Sequence, residues 1–149
     1  MTTEFLNCIA LTKRLYDQIL EPVCDQYDIT RMELDILLFL HNHPGYDTAT
    51  DIIKKRWLTK SHVSSSIKQL EEQHYLERFY QDGNGKTIHL KVTDHAAKIL
   101  KSGLAAQKEF YGILFSGFNE EQVAAMETNL KKLTDNVQTA LTGGNRHDL

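Results

Sequence analysis

The residues best suited to chemistry lie in one short run, Lys60-Ser61-His62-Val63-Ser64-Ser65-Ser66-Ile67-Lys68-Gln69-Leu70. At helical spacing Val63, Ile67 and Leu70 form an apolar stripe, and hydroxyls, an imidazole and ammonium groups occupy the rest of the surface. Serine is an indifferent helix former, but short hydroxyl side chains let a helix approach a groove and hydrogen-bond phosphates or base edges. No acid occurs from Ile52 to Leu70, a stretch that holds Lys54, Lys55, Arg56, Lys60 and Lys68. Residues 1–51 carry 9 acids and 3 bases, residues 52–91 carry 8 bases and 4 acids, and residues 92–149 carry 6 bases and 7 acids. The overall charge of -3 therefore hides a basic middle third that attracts polyanions. From charge alone, a solvated helix face is the alternative reading.

Other chemistries find weaker support. Ser61 and His62 are neighbours and project roughly 100° apart on a helix, so they do not form a nucleophile and base pair. Ser66 and His62 share a face at a spacing of four, yet nothing supplies an oxyanion site, and no enzyme is expected. The turn Gly83-Asn84-Gly85-Lys86 lacks the spacing and following helix of a phosphate-binding loop. His41 and His43 would ligate zinc with Cys24 only if folding gathered them, since neither H-E-x-x-H nor C-x-x-C spacing is present; a solvated helix end accounts for them more simply. Neither a metal nor a cofactor is expected. Cys8 and Cys24 are the only cysteines and are expected as free thiols. Cys8, among Leu6, Ile9 and Leu11, reads as a small core residue, with redox sensing as the alternative.

These residues must be positioned by a chain of 149 residues, about one domain's worth, with 41% hydrophobic and 25% charged residues, enough for a packed core. No window reaches the roughly 18 apolar residues that span a bilayer, and no cationic-then-apolar leader opens the chain, so no membrane association and a cytoplasmic protein are expected. A first helix is predicted from about Thr3 to Tyr27, buried on more than one side and kinked or ended by Pro22. Thr30 to Glu33 has the form of a capping box, flanked by Ile29 and Leu34 as a hydrophobic staple. The second helix it starts must stop at His43-Pro44-Gly45. Asp47 or Thr48 can cap a short third helix carrying Ala49, Ile52, Ile53 and Trp57, and Thr59 can cap the fourth. A short helix, a three-residue turn and a polar-faced helix make a helix-turn-helix order.

Extended segments Leu76 to Gln81 and Thr87 to Val92 then flank Asp82-Gly83-Asn84-Gly85, a hairpin with a flexible tip. Thr93 is expected to cap a helix carrying Ala96, Ala97, Leu100, Leu104, Tyr111 and Leu114. Asn119 with Gln122 caps a last one with a heptad-like stripe of Val123, Met126, Leu130, Leu133 and Val137. That stripe and the first helix offer more apolar surface than a small recognition domain covers, so a second subunit is expected. The end, 143–149, has nothing to bury and is expected to fray.

In this order the elements resemble the MarR family of bacterial winged-helix transcription regulators. The likeness spans nearly the whole chain and is strongest from Ile29 to Thr93, in Leu58-Thr59-Lys60-Ser61-His62-Val63-Ser64, Leu70-Glu71-Glu72 and Leu76-Glu77-Arg78. The resemblance implies a mainly α (α+β) winged helix-turn-helix with a two-stranded wing and N- and C-terminal dimerisation helices. Residues 29–93 would be the DNA-binding part, and residues 1–28 and 94–142 the dimerisation part of a single domain. It implies a homodimer reading an inverted repeat of double-stranded DNA, most simply as a ligand-released repressor. The matching DNA-contact positions are Ser61, His62, Ser64, Ser65 and Lys68, joined by Lys54, Lys55, Lys60 and Lys86. It also implies a small aromatic or phenolic effector between the two parts, where Tyr16, Trp57 and Phe110 are candidates, and it adds family precedents for a first-helix redox cysteine at Cys8 and for zinc sensing. The rival reading is a dimeric interaction or ligand- or metal-sensing protein with weakened DNA binding.

Two departures stand out. His74 occupies the place where the family commonly has a glycine after the recognition helix, so a left-handed histidine is expected there. The wing has Gln81, Gly85 and Lys86 where the family usually has an acid and paired arginines. Lysine is a point charge without the guanidinium fork, so phosphate contact is better supported than minor-groove reading.

Overall fold

The computed structural model describes residues 1–56 and 58–143. It orders them as α1 (Thr2–Tyr27), α2 (Arg31–Asn42), α3 (Ala49–Arg56), α4 (Lys60–Glu72), β1 (Leu76–Gln81), β2 (Asn84–Val92), a 3-10 turn (Asp94–Ala96), α5 (Ala97–Leu114) and α6 (Glu120–Leu141). The fold is mainly helical with one antiparallel two-stranded wing, a winged helix-turn-helix. The chain divides into two compact units, one of residues 1–111 and one from Gly112 onward.

In the first unit α2 is the central helix. Its Leu34, Ile36, Leu37, Leu38 and Phe39 are all buried, and it packs on α1, α4 and β2. It starts where the capping signal places it, but the expected capping box is only half formed: Thr30 Oγ1 accepts from the Glu33 N–H (3.1 Å), no return bond to the Glu33 carboxylate joins it among the described residues, and Ile29 and Leu34 are both buried. It stops at the His43-Pro44-Gly45 signal, with Gly45 at φ +92°, a backbone that glycine adopts without penalty. α5 crosses close to it: a Cβ on Gly103 would lie 3.0 Å from Leu38 Cδ2 and 3.2 Å from Leu34 Cδ1, so a larger residue there would have to push these buried methyl groups aside. A reciprocal pair caps α3: the Asp51 N–H donates to Thr48 Oγ1 and the Thr48 N–H to Asp51 Oδ2, both at 3.1 Å.

Several expectations need correction. Of the two outcomes expected of Pro22, a kink or a stop, the stop does not occur: α1 runs through it to Tyr27. The proline removes one backbone donor, and burial of Leu20 and Val23 on either side of it holds the turn. Nor is α1 buried on more than one side: Leu20 and Val23 are its buried residues, while Phe5, Leu6, Ile9 and Leu11 are about half exposed. The wing tip is a two-residue turn, Asp82-Gly83, because Gln81 pairs directly with Asn84 and β2 begins three residues earlier than predicted. The four-residue tip is shortened because Asn84 joins the ladder and its Oδ1 accepts from the N–H groups of Lys86 (3.0 Å) and Thr87 (3.2 Å). Thr59 stands at the N-cap position of α4 without a side-chain cap bond. Thr93 does not cap with its side chain either; its hydroxyl donates to the carbonyl of His74 at 2.6 Å, tying the end of the wing to the turn after α4. His74 is left-handed (φ 63°), as expected for the residue standing where a glycine would follow α4.

In the second unit, Asn119 and Gln122 form the expected reciprocal capping box at the start of α6. None of the side chains of α6 is buried, and Met126, Leu130, Leu133, Val137 and Leu141 along it are exposed. The expected frayed end falls on residues 143–149, of which 144–149 lie outside the described residues. Among the described residues no helix is long and apolar enough to cross a membrane.

Candidate nucleic-acid interface

The position of α4 follows from its inner stripe. Val63, Ile67 and Leu70 are 0–4% exposed, and Ser66 joins them at 6%. Burial of these three aliphatic side chains, at about 1.5–3 kcal/mol each, fixes the rotation of the helix about its axis. That rotation leaves Lys60, Ser61, His62, Ser64, Ser65 and Lys68 exposed together on the outer surface. The Ser65 hydroxyl donates back to the His62 carbonyl (3.1 Å), a bond that a stronger acceptor outside the helix can replace. His62, Ser65 and Lys68 also wall an open cavity of about 430 Å³ that reaches back to Thr30 and Glu33 at the start of α2. Glu33 is buried, and its Oε2 has no hydrogen-bond partner among the described residues.

Lys54 and Lys55 are exposed on the last turn of α3, and the Lys55 ammonium sits 4.6 Å from the centroid of the Tyr46 ring. That cation–π contact orders a side chain that would otherwise sample many rotamers. Lys86 is exposed near the wing tip, on a different element from the other cations. Arg78 at the base of the wing is a half-exposed cation already engaged, its Nε donating to both carboxylate oxygens of Glu71 (2.8 and 2.9 Å).

The aromatic residues singled out for an effector are partly brought together. The rings of Tyr16 and Phe110 lie 4.8 Å apart and line a cavity of about 320 Å³ with Asp35, Asn42, Arg56 and Gln107. Gln107 bridges polar groups there, donating to the Tyr16 hydroxyl (2.9 Å) and accepting from Asn42 (3.0 Å). Burial pushes the Tyr16 phenol above its ordinary value, against the opposing effect of the Gln107 bond. Arg31 packs over the Tyr16 ring (4.7 Å) and holds Asp35 (2.9 Å) and Asp17 (2.8 Å), joining α1 to α2. Trp57 lies outside the described residues.

Cys8 is exposed rather than a core residue, because the surrounding Leu6, Ile9 and Leu11 are themselves uncovered in the single chain. Cys24 is half-buried, and burial raises its thiol above the ordinary range. Among the described residues no three His, Cys, Asp or Glu side chains are gathered to hold a metal ion, so His41, His43 and Cys24 do not assemble a zinc site.

Sequence reasoning missed three features: the buried Glu33, the Tyr46 platform under Lys55, and a bond from His89 to Asp47 (2.6 Å). The first hides behind the capping role of its T-x-x-E motif. The other two join residues 9 and 42 positions apart with no local pattern to announce them.

A helix seated by a buried stripe after a short helix, with a two-stranded wing behind it, defines the winged helix-turn-helix class. The MarR family model matches residues 27–84, the segment that holds α2, α3, α4, β1 and the wing turn. The HTH-type transcriptional regulator PecS of Dickeya dadantii is 24% identical over 138 residues, covering 91% of this chain and 81% of PecS. The S. aureus MepR–DNA complex superposes with a TM-score of 0.70 at 26% identity, covering 92% of this chain and 96% of that one. The transcription regulator MarR of Oenococcus oeni shares the fold at a TM-score of 0.67 and 20% identity, over 91% of this chain and 99% of its own.

Proposed function

We propose that this chain is a sequence-specific DNA-binding transcriptional regulator that works as a homodimer, most simply as a repressor released by a small ligand. The observation that carries the reading is the outer face of α4. Ser61, His62, Ser64, Ser65 and Lys68 are exposed together on a helix fixed by its buried stripe, inside a run free of acids from Ile52 to Leu70. Hydroxyl, imidazole and ammonium groups on one rigid helix supply donors and acceptors for base edges in a major groove. Lys54, Lys55, Lys60 and Lys86 supply phosphate contacts around it.

Two further features support the finer parts. The α1 residues Phe5, Leu6, Ile9 and Leu11, and the α6 stripe of Met126, Leu130, Leu133 and Val137, are apolar faces uncovered in the single chain. Contiguous faces of this kind mark an association surface, and a second copy with its own faces is the occupant that symmetry favours. The Tyr16–Phe110 cavity of about 320 Å³ is at the lower end of the size range for small-ligand sites and suits an aromatic effector with a hydrogen-bonding group.

The test is selection from random duplex DNA followed by footprinting. Two recognition helices related by a twofold axis should protect an inverted repeat with half-site centres about one helical turn, roughly 34 Å, apart. Failure to enrich any sequence, or protection of one isolated half-site, would overturn the reading.

A further inference from the structure

The wing carries Lys86, and a two-stranded hairpin is marginal in water on its own, so something must hold it at a fixed angle. At its base Leu76 and Leu90 are buried, the Thr93 N–H donates to the Tyr75 carbonyl (3.1 Å), and Arg78 grips Glu71 on α4. Packing beneath the wing is incomplete: a cavity of about 330 Å³ lined by Leu40, Pro44, Gly45, Phe79, Leu90 and Val92 lies between it and the end of α2. One residue bridges β2 to the connection between α2 and α3. Asp47 accepts the Leu90 N–H with its carbonyl (2.8 Å) and the His89 ring with its carboxylate, Nδ1 to Oδ1 at 2.6 Å. A carboxylate only accepts, so Nδ1 carries the proton and donates. The His89 side chain is 12% exposed, and its ring stacks on Phe79, its cross-strand partner, at 5.3 Å between centroids.

Phe79 and His89 are also the last regular rung of the ladder, since the register shifts between Phe79 and Gln81. Lys86 stands three residues beyond that rung, about 10 Å at roughly 3.3 Å per residue. A tilt of about 20° there would move Lys86 by roughly 3.5 Å, more than the tolerance of a hydrogen bond to phosphate.

We propose that Asp47 and His89 are positioning residues for DNA binding: their bond sets the angle of the wing and thereby delivers Lys86 to the phosphate backbone. This rests on the DNA-binding reading above. The test compares salt dependence of affinity for Asp47→Ala, Lys86→Ala and the double variant on selected operator DNA. If each subunit's Lys86 neutralises one phosphate, Lys86→Ala should lower the log–log slope by about 1.8 per dimer. Asp47→Ala should give the same drop by itself, and adding Lys86→Ala to it should change nothing further. A purely structural role for Asp47 would reduce the active fraction and leave the slope as it is. An unchanged slope in Asp47→Ala, or two losses that add in full, would overturn the proposal. His89→Phe keeps the ring stacked on Phe79 and removes the bond, so it should reproduce the Asp47→Ala slope; the parent slope in His89→Phe would count against the tie. Hydrogen exchange in the free protein separates this inference from the DNA reading. Amides of Lys86 to Leu90 should exchange faster in Asp47→Ala and His89→Phe even if the parent shows no DNA binding, and unchanged protection would refute the tie itself.

Discussion

Leu130→Asp tests the proposed dimer most sharply, because Leu130 is 47% exposed in the single chain and lies in the middle of the α6 stripe. In an isolated subunit the substitution should be mild. Aspartate is a poorer helix former than leucine by about 0.5 kcal/mol, and loss of the half-buried leucine surface adds about 1 kcal/mol. Covered by a second copy, the same carboxylate becomes an unpaired buried charge costing about 3–5 kcal/mol, and twofold symmetry introduces it twice. The summed penalty of about 6 kcal/mol or more raises the dimer dissociation constant by a factor of about 10⁴, which turns a nanomolar dimer into one that dissociates near 10 μM. Sedimentation velocity at micromolar protein, with far-UV circular dichroism on the same sample, should show a helical monomer or a chain that unfolds without its partner. Operator binding should be lost in either case, because one half-site gives up the effective concentration that the second subunit provides. A Leu130→Asp protein that remains a dimer and binds DNA as the parent does would refute the reasoning.

Ser65→Ala and Lys68→Ala should each narrow the ratio of operator to random-DNA affinity by the 1–3 kcal/mol typical of a base contact, read by competition binding; equal losses on both DNAs would reassign them to phosphate contact. Alkaline stability should depend on Cys24, whose thiol is pushed above its ordinary range by burial. The neutral form is favoured in the folded state, so the contribution is fully present below the unfolded thiol's titration and is lost as pH rises through the raised native value. Thermal melts from pH 8 to 11 should therefore fall less steeply for Cys24→Ala than for the parent, and parallel curves would contradict the burial effect.

The start and end of α2, the α4 stripe and the α6 capping box were legible because their signals are local. Thr30 reads Glu33 three positions on, Pro44 and Gly45 follow the last turn directly, and Val63, Ile67 and Leu70 repeat at three and four. The groove-facing candidates followed from that stripe, since fixing the buried side of a helix fixes the other side. Pro22 misled because its local cost is outweighed by the burial of Leu20 and Val23, which depends on elements elsewhere in the chain. Thr93 misled in the same way: its hydroxyl has a better acceptor at His74, 19 positions back, than at its own helix start. The Asp47–His89 tie and the Tyr16–Phe110 contact join positions 42 and 94 apart, where composition and periodicity carry no information. Exposure of Cys8 likewise follows from what does not cover α1 within a single chain.

The central claim, that the outer face of α4 and its flanking lysines engage duplex DNA, is tested most directly by the salt dependence of binding to a selected operator. Equilibrium anisotropy of a labelled duplex should show affinity falling by about 10³ to 10⁵ between 50 and 200 mM salt if a dimer neutralises about 6–10 phosphates. An affinity that stays flat across that range, or is no greater than that for a scrambled duplex, would contradict it.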